Sequence, residues 1–537
     1  MNIPGTSETH APGFKSPGKK MYRHLPAIFL FLAYILVQSY AIHQLTTTYD
    51  EESFLQYGIS LLKGEANKNI NRFDSKLPVT TLNALPRAVE QLINPTLKKT
   101  GPLDDIIAGR YISLLATIAI GILIYCWTFQ WYGYAAGICS LLFFLLCPNF
   151  LAHGILVSSD IFACLFLALT FYYFSRWWQT GKNISLLLFS LCFSFGQLSK
   201  FSLVHMLPVV VIILAISWMS NKNRGSVFTK RNLALAGIFV MINWLVISGG
   251  HLFYDIFFPL DKYEYHSGIF RGISEMTGAF AHYLFIPLPS SYIRSMDMVI
   301  YLDQLGGGLP GSVNGAPYIL LHYSTHGFWY YYLVSFFYKI PIPFLIILLS
   351  SAVVYLKNQN RSSFLQREIF LLVPVLYYLV YMSFFYSTQV GIRHILIIFP
   401  LLFVFAGLLF QKMLSGRRFP IIAIAATWEL VSVATYFPHF LPYTNEFIWN
   451  KKNAWKKIAD TNLCYREGGY YLHDYLATHK NAVYEPALPV SGLVVVEVND
   501  YLGVQENSRP GRYDWLRGLE PVDHIHSQYL IFDVPEK

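Results

Sequence analysis

Charge is scarce in this sequence. Asp, Glu, Lys and Arg together supply 13% of the residues, about half the share found in soluble domains. A chain so poor in charge has no material for a water-facing surface, which excludes a soluble enzyme and a disordered protein. Cysteine is sparse as well, at 6 residues. Cys126, Cys139, Cys147, Cys164 and Cys192 lie in apolar runs and Cys464 stands alone, so neither a disulfide framework nor a metal spacing is present. The phosphate-binding P-loop and the dinucleotide glycine fingerprint are missing, and so is any tandem repeat. Nucleotide-driven chemistry is excluded with them. What fills the chain is apolar: the AVILMFWYC set reaches 54% and aromatics 17%. The net charge of +9 could point to nucleic acid, but the basic residues sit in short loops between apolar runs and bind none.

A membrane-crossing helix needs about 20 mainly apolar residues. Eleven runs qualify, starting near Leu25, Tyr111, Gly133, Ile161, Ile184, Phe201, Asn232, Ile342, Ile369, Ile395 and Pro420. The fold class expected is mainly α: a polytopic membrane protein with outward juxtamembrane loops and a small C-terminal α/β domain. The first run reads as a span rather than a cleaved signal peptide, because its leading segment is long. Alternate loops carry Lys19, Lys20, Arg23, Arg176, Lys182, Arg231, Lys357, Arg367, Lys412 and Arg418, with only Glu8 and Glu368 as acids. These loops are therefore cytoplasmic. Three long pieces fall on the other side, near residues 44–109, 250–341 and 438–537. The division expected is a cytoplasmic tail (1–24), a transmembrane domain (25–437) and an extracytoplasmic domain (438–537). In the last, Trp455 to Leu476 has helical spacing, and Gly492 to Val498 and Tyr529 to Val534 read as strands.

Asp50, Glu51 and Glu52 follow the first span directly. A carboxylate at the membrane surface can act as a general base toward a hydroxyl or hold a divalent ion. The same acids suit the first turn of a following helix. Asp160 opens the fourth span at the same outward level, where it too can cap a helix. Lys76, Arg110, Lys200, Lys339 and the pair Arg393-His394 lie at this level. Single cations there are ordinary interface residues that snorkel. Five beside the acids point to an anionic lipid headgroup, and fixed cations stabilise a departing phosphate. Glu429, inside the last span, reads as a carboxyl paired with a neighbouring helix or kept protonated.

These residues, in order, resemble a known group. Asp50-Glu51, Ser75-Lys76-Leu77-Pro78, the stretch Pro148-Asn149 to Asp160, Gln197-Leu198-Ser199-Lys200, His326-Gly327-Phe328-Trp329-Tyr330-Tyr331 through Lys339-Ile340-Pro341, Gly391-Ile392-Arg393-His394 and Pro438 to Glu446 are similar to successive motifs of the GT-C glycosyltransferases. The likeness is to the protein O-mannosyltransferase and lipid A aminoarabinose transferase type. Asp460 to Glu467 (DTNLCYRE) stands where that group has D-S-N-L-D-W-G-Q. The resemblance implies transfer of a sugar from a polyprenyl-phosphate donor to a hydroxyl of a protein, lipid or glycan acceptor, with inversion. It makes Asp50, Glu51 and Asp160 catalytic, with Asp50 as base. It gives Lys76, Lys200, Lys339, Arg393 and His394 to the donor phosphate. A divalent cation, Mg or Mn, would have Asp50 and Asp160 as ligands, and no nucleotide cofactor is implied. It also implies a bacterial inner membrane with the site facing the periplasm. The residues alone leave a second reading open, a flippase or carrier for an anionic lipid or solute. They also leave a non-catalytic partner open.

Overall fold

The computed structural model describes residues 22–63, 77–93, 102–220, 229–306, 316–357, 361–504 and 511–536. Eleven apolar helices form its body: α1 (Leu25–His43), α2 (Pro102–Tyr132), α3 (Tyr134–Leu146), α4 (Asp160–Thr180), α5 (Asn183–Ser199), α6 (Met206–Ser220), α7 (Lys230–Gly250), α8 (Ile342–Lys357), α9 (Ile369–Phe384), α10 (Phe399–Ser415) and α11 (Phe419–Ala434). They fall on the runs read from the sequence. Among the described residues, six of the resulting spans are at least 18 residues long and hold an apolar stretch of 18 residues. The others are shorter or broken, and prolines account for two of the breaks. α3, with 13 residues, rises only about 20 Å. Cys147 then turns extended (φ −64°, ψ 116°) ahead of Pro148, as the residue before a proline must. Ile340 does the same (φ −103°, ψ 135°) ahead of Pro341. There the helix Tyr331–Lys339 meets α8 at 118°.

Burial sorts the spans into inner and outer. The central span, Ile392–Ser415, has 78% of its most apolar window buried, against 17% for Lys230–Gly250 at the periphery. Aromatic rings tie the centre together: Phe143 stacks on Phe410 at 5.4 Å, and Phe344 on Phe403 at 4.4 Å. At Gly407 any side chain would meet Thr128 Cγ2 at 2.4 Å, so glycine is what lets α10 approach α2 this closely.

Beyond the helices, a two-residue hairpin pairs β1 (Tyr318–Ile319) with β2 (His322–Tyr323). The C-terminal sheet consists of β3 (Val483–Tyr484), β4 (Gly492–Glu497), β5 (Asp523–Ile525) and β6 (Tyr529–Val534), in the order β3-β4-β6-β5. β3 lies parallel to β4, and the other pairs are antiparallel. Side chains alternate along a strand, and both faces here are used. Val494, Val496, Leu530 and Phe532 join the large core of the spans, while Val495, Ile531 and Ile525 pack on Leu472 of the helix Gly469–Thr478. The sheet thus shares its core with the membrane body. The helical spacing over Trp455–Leu476 yields an α-helix at Gly469–Thr478 and only 3₁₀ turns before it, at Lys451–Lys456 and Asp460–Asn462. Asp460 sits at φ +57° and Arg466 at φ +72°, and residues 457–468 form turns bonded to the spans instead.

Candidate active site

Four span ends and one C-terminal turn converge on one face, opposite the basic loops. The Arg393 guanidinium is the hub. It follows Gly391, whose φ of +67° and close approach to Thr461 Oγ1 (2.2 Å from a built Cβ) admit no side chain. Arg393 Nη1 lies 3.1 Å from Asp50 Oδ2 and 3.8 Å from Asp160 Oδ2. Lys200 Nζ, just past α5, donates to Asp160 Oδ1 at 2.6 Å. Asp50, Asp160, Lys200 and Arg393 are therefore one cluster.

The two carboxylates differ in access. The Asp160 side chain is 5% exposed, held by Lys200 and Arg393; that of Asp50 is 39% exposed. Both start a helix, yet neither side chain caps it. Asp50 is the N-cap of Glu51–Leu62 and Ser159 that of α4, and neither makes a side-chain cap bond. The local N-terminal bond is made by Glu51, whose Oε2 accepts from Thr48 N–H at 3.0 Å.

Glu51 is placed differently from its neighbour. Its side chain is 1% exposed. Arg110 Nε donates to Oε1 at 2.8 Å and Nη2 to Oε2 at 2.6 Å. Val157 N–H adds a bond to Oε1 at 3.0 Å. With Thr48, four donors saturate this carboxylate. Arg110 also donates to the carbonyls of Ile42, Leu45 and Thr46. The pair braces the turn that presents Asp50.

Lys339 departs from expectation in the same way. It is 2% exposed, and its ammonium donates to the carbonyls of Leu441 (2.6 Å) and Asn462 (2.7 Å). It clamps the C-terminal segment to the spans rather than facing the acids. His394 is 9% exposed, its ring edge-on to Tyr386 at 5.6 Å. Two buried nitrogens here, His394 Nδ1 and Arg393 Nε, have no hydrogen-bond partner. Lys76 lies outside the described residues.

Sequence reasoning missed Tyr465. Its hydroxyl donates to Asp50 Oδ2 and accepts from Arg393 Nη1, and the guanidinium lies 4.8 Å from its ring centroid. Burial first, opposed by the charge of Arg393 and aided by that of Asp50, holds this phenol well above its ordinary range, so it faces the carboxylate as a donor. The turn is fixed from below. Glu467 accepts from Tyr465 N–H at 2.8 Å and pairs with His439 Nε2 at 2.7 Å. Ile392 N–H donates to Asn462 Oδ1 at 2.9 Å. Thr46 N–H donates to the carbonyl of Glu467 at 2.9 Å. The DTNLCYRE stretch is thus the floor of the site. The only signal available was the phenol standing where the resembled group has a tryptophan. Asp460 belongs to this floor: burial raises its carboxyl to about 6, against the opposing pull of Arg393.

A divalent ion does not fit Asp50 and Asp160. Arg393 already lies between them, and Lys200 neutralises the second. Among the described residues, the acids whose oxygens approach one another as ligands do are Glu485, Glu497 and Asp500, within 4.8 Å. They lie behind Tyr49, whose hydroxyl donates to Glu497 at 2.8 Å.

The model of the dolichyl-phosphate-mannose-protein mannosyltransferase family matches residues 103–246, from α2 through most of α7. No curated protein matches the chain. Among solved structures, ArnT from Cupriavidus metallidurans bound to undecaprenyl phosphate is 10% identical, over 96% of this chain and 100% of that one, with a TM-score of 0.48. The apo oligosaccharyltransferase of Archaeoglobus fulgidus is 14% identical over 86% of this chain, with a TM-score of 0.45. The chain spans 60% of that archaeal protein's length. By its motifs and by the matched segment, the chain resembles the GT-C glycosyltransferases of the mannosyltransferase type.

Proposed function

We propose that the protein is an integral membrane glycosyltransferase. It moves a sugar from a polyprenyl-phosphate donor to an acceptor hydroxyl, with inversion, at the extracytoplasmic face. The observation that carries this reading is the asymmetry of the two carboxylates around Arg393. Asp50 is accessible and can take the proton of an attacking hydroxyl. Asp160 is buried and holds Lys200 and Arg393 in place. Those cations receive the lipid phosphate as it leaves. Bond making and breaking balance simply. The acceptor oxygen bonds to the anomeric carbon, its proton passes to Asp50, and the C–O bond to the phosphate breaks with the electron pair leaving on phosphate.

The matched mannosyltransferase segment supports a lipid-linked sugar as donor, and the basic loops support a site facing away from the cytoplasm. No step needs a metal at Asp50 and Asp160. The test is release of free polyprenyl phosphate by purified protein in lipid, with a panel of polyprenyl-phosphate sugars and native membrane extract as acceptor. Release by the native protein that is lost in Asp50→Asn supports the assignment. Equal release by both removes Asp50 from the chemistry. Labelled lipid crossing the bilayer without release overturns the enzyme in favour of a flippase.

A further inference from the structure

The segment between α7 and α8 carries an apolar surface that the rest of the described chain leaves uncovered. In the helix Gly268–Thr277, Phe270 is buried. Ile269, Ile273 and Met276 are exposed, and their spacing of four and three puts them on one stripe. Arg271 and Glu275 stand on a different side of the same helix. The apolar stripe runs on through Phe280, Tyr283 and Phe285; Met276 is 90% exposed, Phe280 75% and Tyr283 78%. A surface of this kind marks an interaction site.

A second observation says where it sits. The Trp244 indole N–H donates to the carbonyl of Pro287 at 2.6 Å. Trp244 lies six residues before Gly250, the last residue of α7, which is about 9 Å along the helix. The chain after Tyr283 therefore descends beside a membrane span, to the level where amphipathic rings sit in a bilayer. It then climbs back. The His251 ring bonds Ser291 Oγ at 2.9 Å, and Tyr292 Oη donates to Gln197 at 3.2 Å.

We propose that residues 268–288 form a membrane-dipping element whose apolar stripe is seated at the boundary of headgroups and acyl chains in one leaflet. Arg271 and Glu275 face the headgroups, as the polar side of an interfacial helix does. The occupant argued for is lipid because the Trp244–Pro287 bond ties the end of the element to a span, about 9 Å short of the end of α7. The inference is independent of the chemistry at Asp50. The element is nevertheless joined to that site. The helix Ser290–Gln304 carries Asp303, which accepts from the N–H groups of Ser387 (2.8 Å) and Thr388 (2.9 Å), a few residues before Arg393.

The protein's own methionine reports the outcome. The full chain in lipid nanodiscs is exposed to hydroxyl radicals generated in water and, separately, to a phospholipid carrying a photoreactive diazirine on its acyl chain. Met241, 54% exposed on α7, is the bilayer control. A methionine introduced by Leu488→Met, at a position 74% exposed in the C-terminal segment, is the water control. The expected result is Met276 oxidised as slowly as Met241 and several-fold more slowly than the water control, with the lipid photolabel on residues 269–285. In the double variant Met276→Asp, Phe280→Asp the photolabel falls away there and persists on α7. Oxidation of Met276 as fast as the water control overturns the proposal. Protection of Met276 without lipid labelling, accompanied by protein–protein cross-links through this stripe, also overturns it and assigns the surface to a second copy or another protein.

Discussion

Adjacent acids at positions 50 and 51 are expected to fail in opposite ways. Glu51→Gln keeps the side-chain shape but removes the charge that Arg110 faces. Arg110 is fully buried and Glu51 nearly so. The guanidinium would be left with three backbone carbonyls and a neutral amide, and two backbone donors, Thr48 and Val157, would lose a carboxylate. Breaking a buried ion pair by neutralising one partner costs about 3–5 kcal/mol. Asp50→Asn removes a partner of Arg393 at a side chain 39% exposed, where solvent screening holds the loss to about 1 kcal/mol or less. Thermal unfolding in nanodiscs, followed by tryptophan fluorescence, should therefore rank Glu51→Gln far below Asp50→Asn. Donor turnover should be lost in Asp50→Asn at nearly native stability. The double variant Glu51→Gln, Arg110→Met should recover part of the stability, since it removes the stranded charge. A Glu51→Gln protein that is as stable as the native one yet inactive would refute the bracing role and return Glu51 to the reacting set.

Lys339→Met should leave the carbonyls of Leu441 and Asn462 without their buried donor, at about 1–3 kcal/mol each. Faster limited proteolysis between residues 441 and 462 is the readout, and unchanged proteolysis refutes the clamp. For Asp460, the folded carboxyl titrates at about 6 instead of 3.8, so the native protein holds the extra proton between those values. Its contribution to stability is fully present below about 3.8 and lost as pH rises through about 6, at most about 3 kcal/mol. Thermal stability should fall over that window in the native protein and less so in Asp460→Asn. Gly391→Ala should disable turnover through its φ of +67° and the Thr461 contact, at about 1–3 kcal/mol of backbone strain. Adding Thr461→Ala should relieve the contact but not the strain, and full recovery in that double variant would place the cost in the contact alone.

The spans were legible because twenty apolar residues are a strong and local signal. The breaks at Cys147 and Ile340 lie just before prolines, a signal the sequence carries. Asp50, Asp160, Lys200 and Arg393 could be singled out because each stands at a span end with a charge to explain. Their depth was readable; their pairing was not. Arg110 looked like one more surface cation because nothing near it in sequence announces Glu51. Asp50 and Glu51 could not be told apart, since one step of a helix start decides which carboxylate turns inward. Lys339 imitated a phosphate ligand because a lysine before a proline says nothing of the carbonyls it will meet. Tyr465 carries no charge and sits in a stretch whose local spacing argued for a helix, so only the folded turn brings its phenol to Asp50.

The separation along the chain between Tyr465 and Asp50 is 415 residues, and between Arg393 and Asp50 it is 343. Contacts that distant are made late in folding, after the local helices and hairpins. In a chain threaded into a bilayer from its N-terminus, Asp50 emerges first and waits for partners that the ribosome has not yet made. The cluster around Arg393 cannot close until the final segment has been delivered and Thr46 N–H has met the carbonyl of Glu467. Order of synthesis thus sets order of assembly: a nascent or C-terminally clipped chain keeps its apolar spans but lacks the phenol and the turn that meet Asp50.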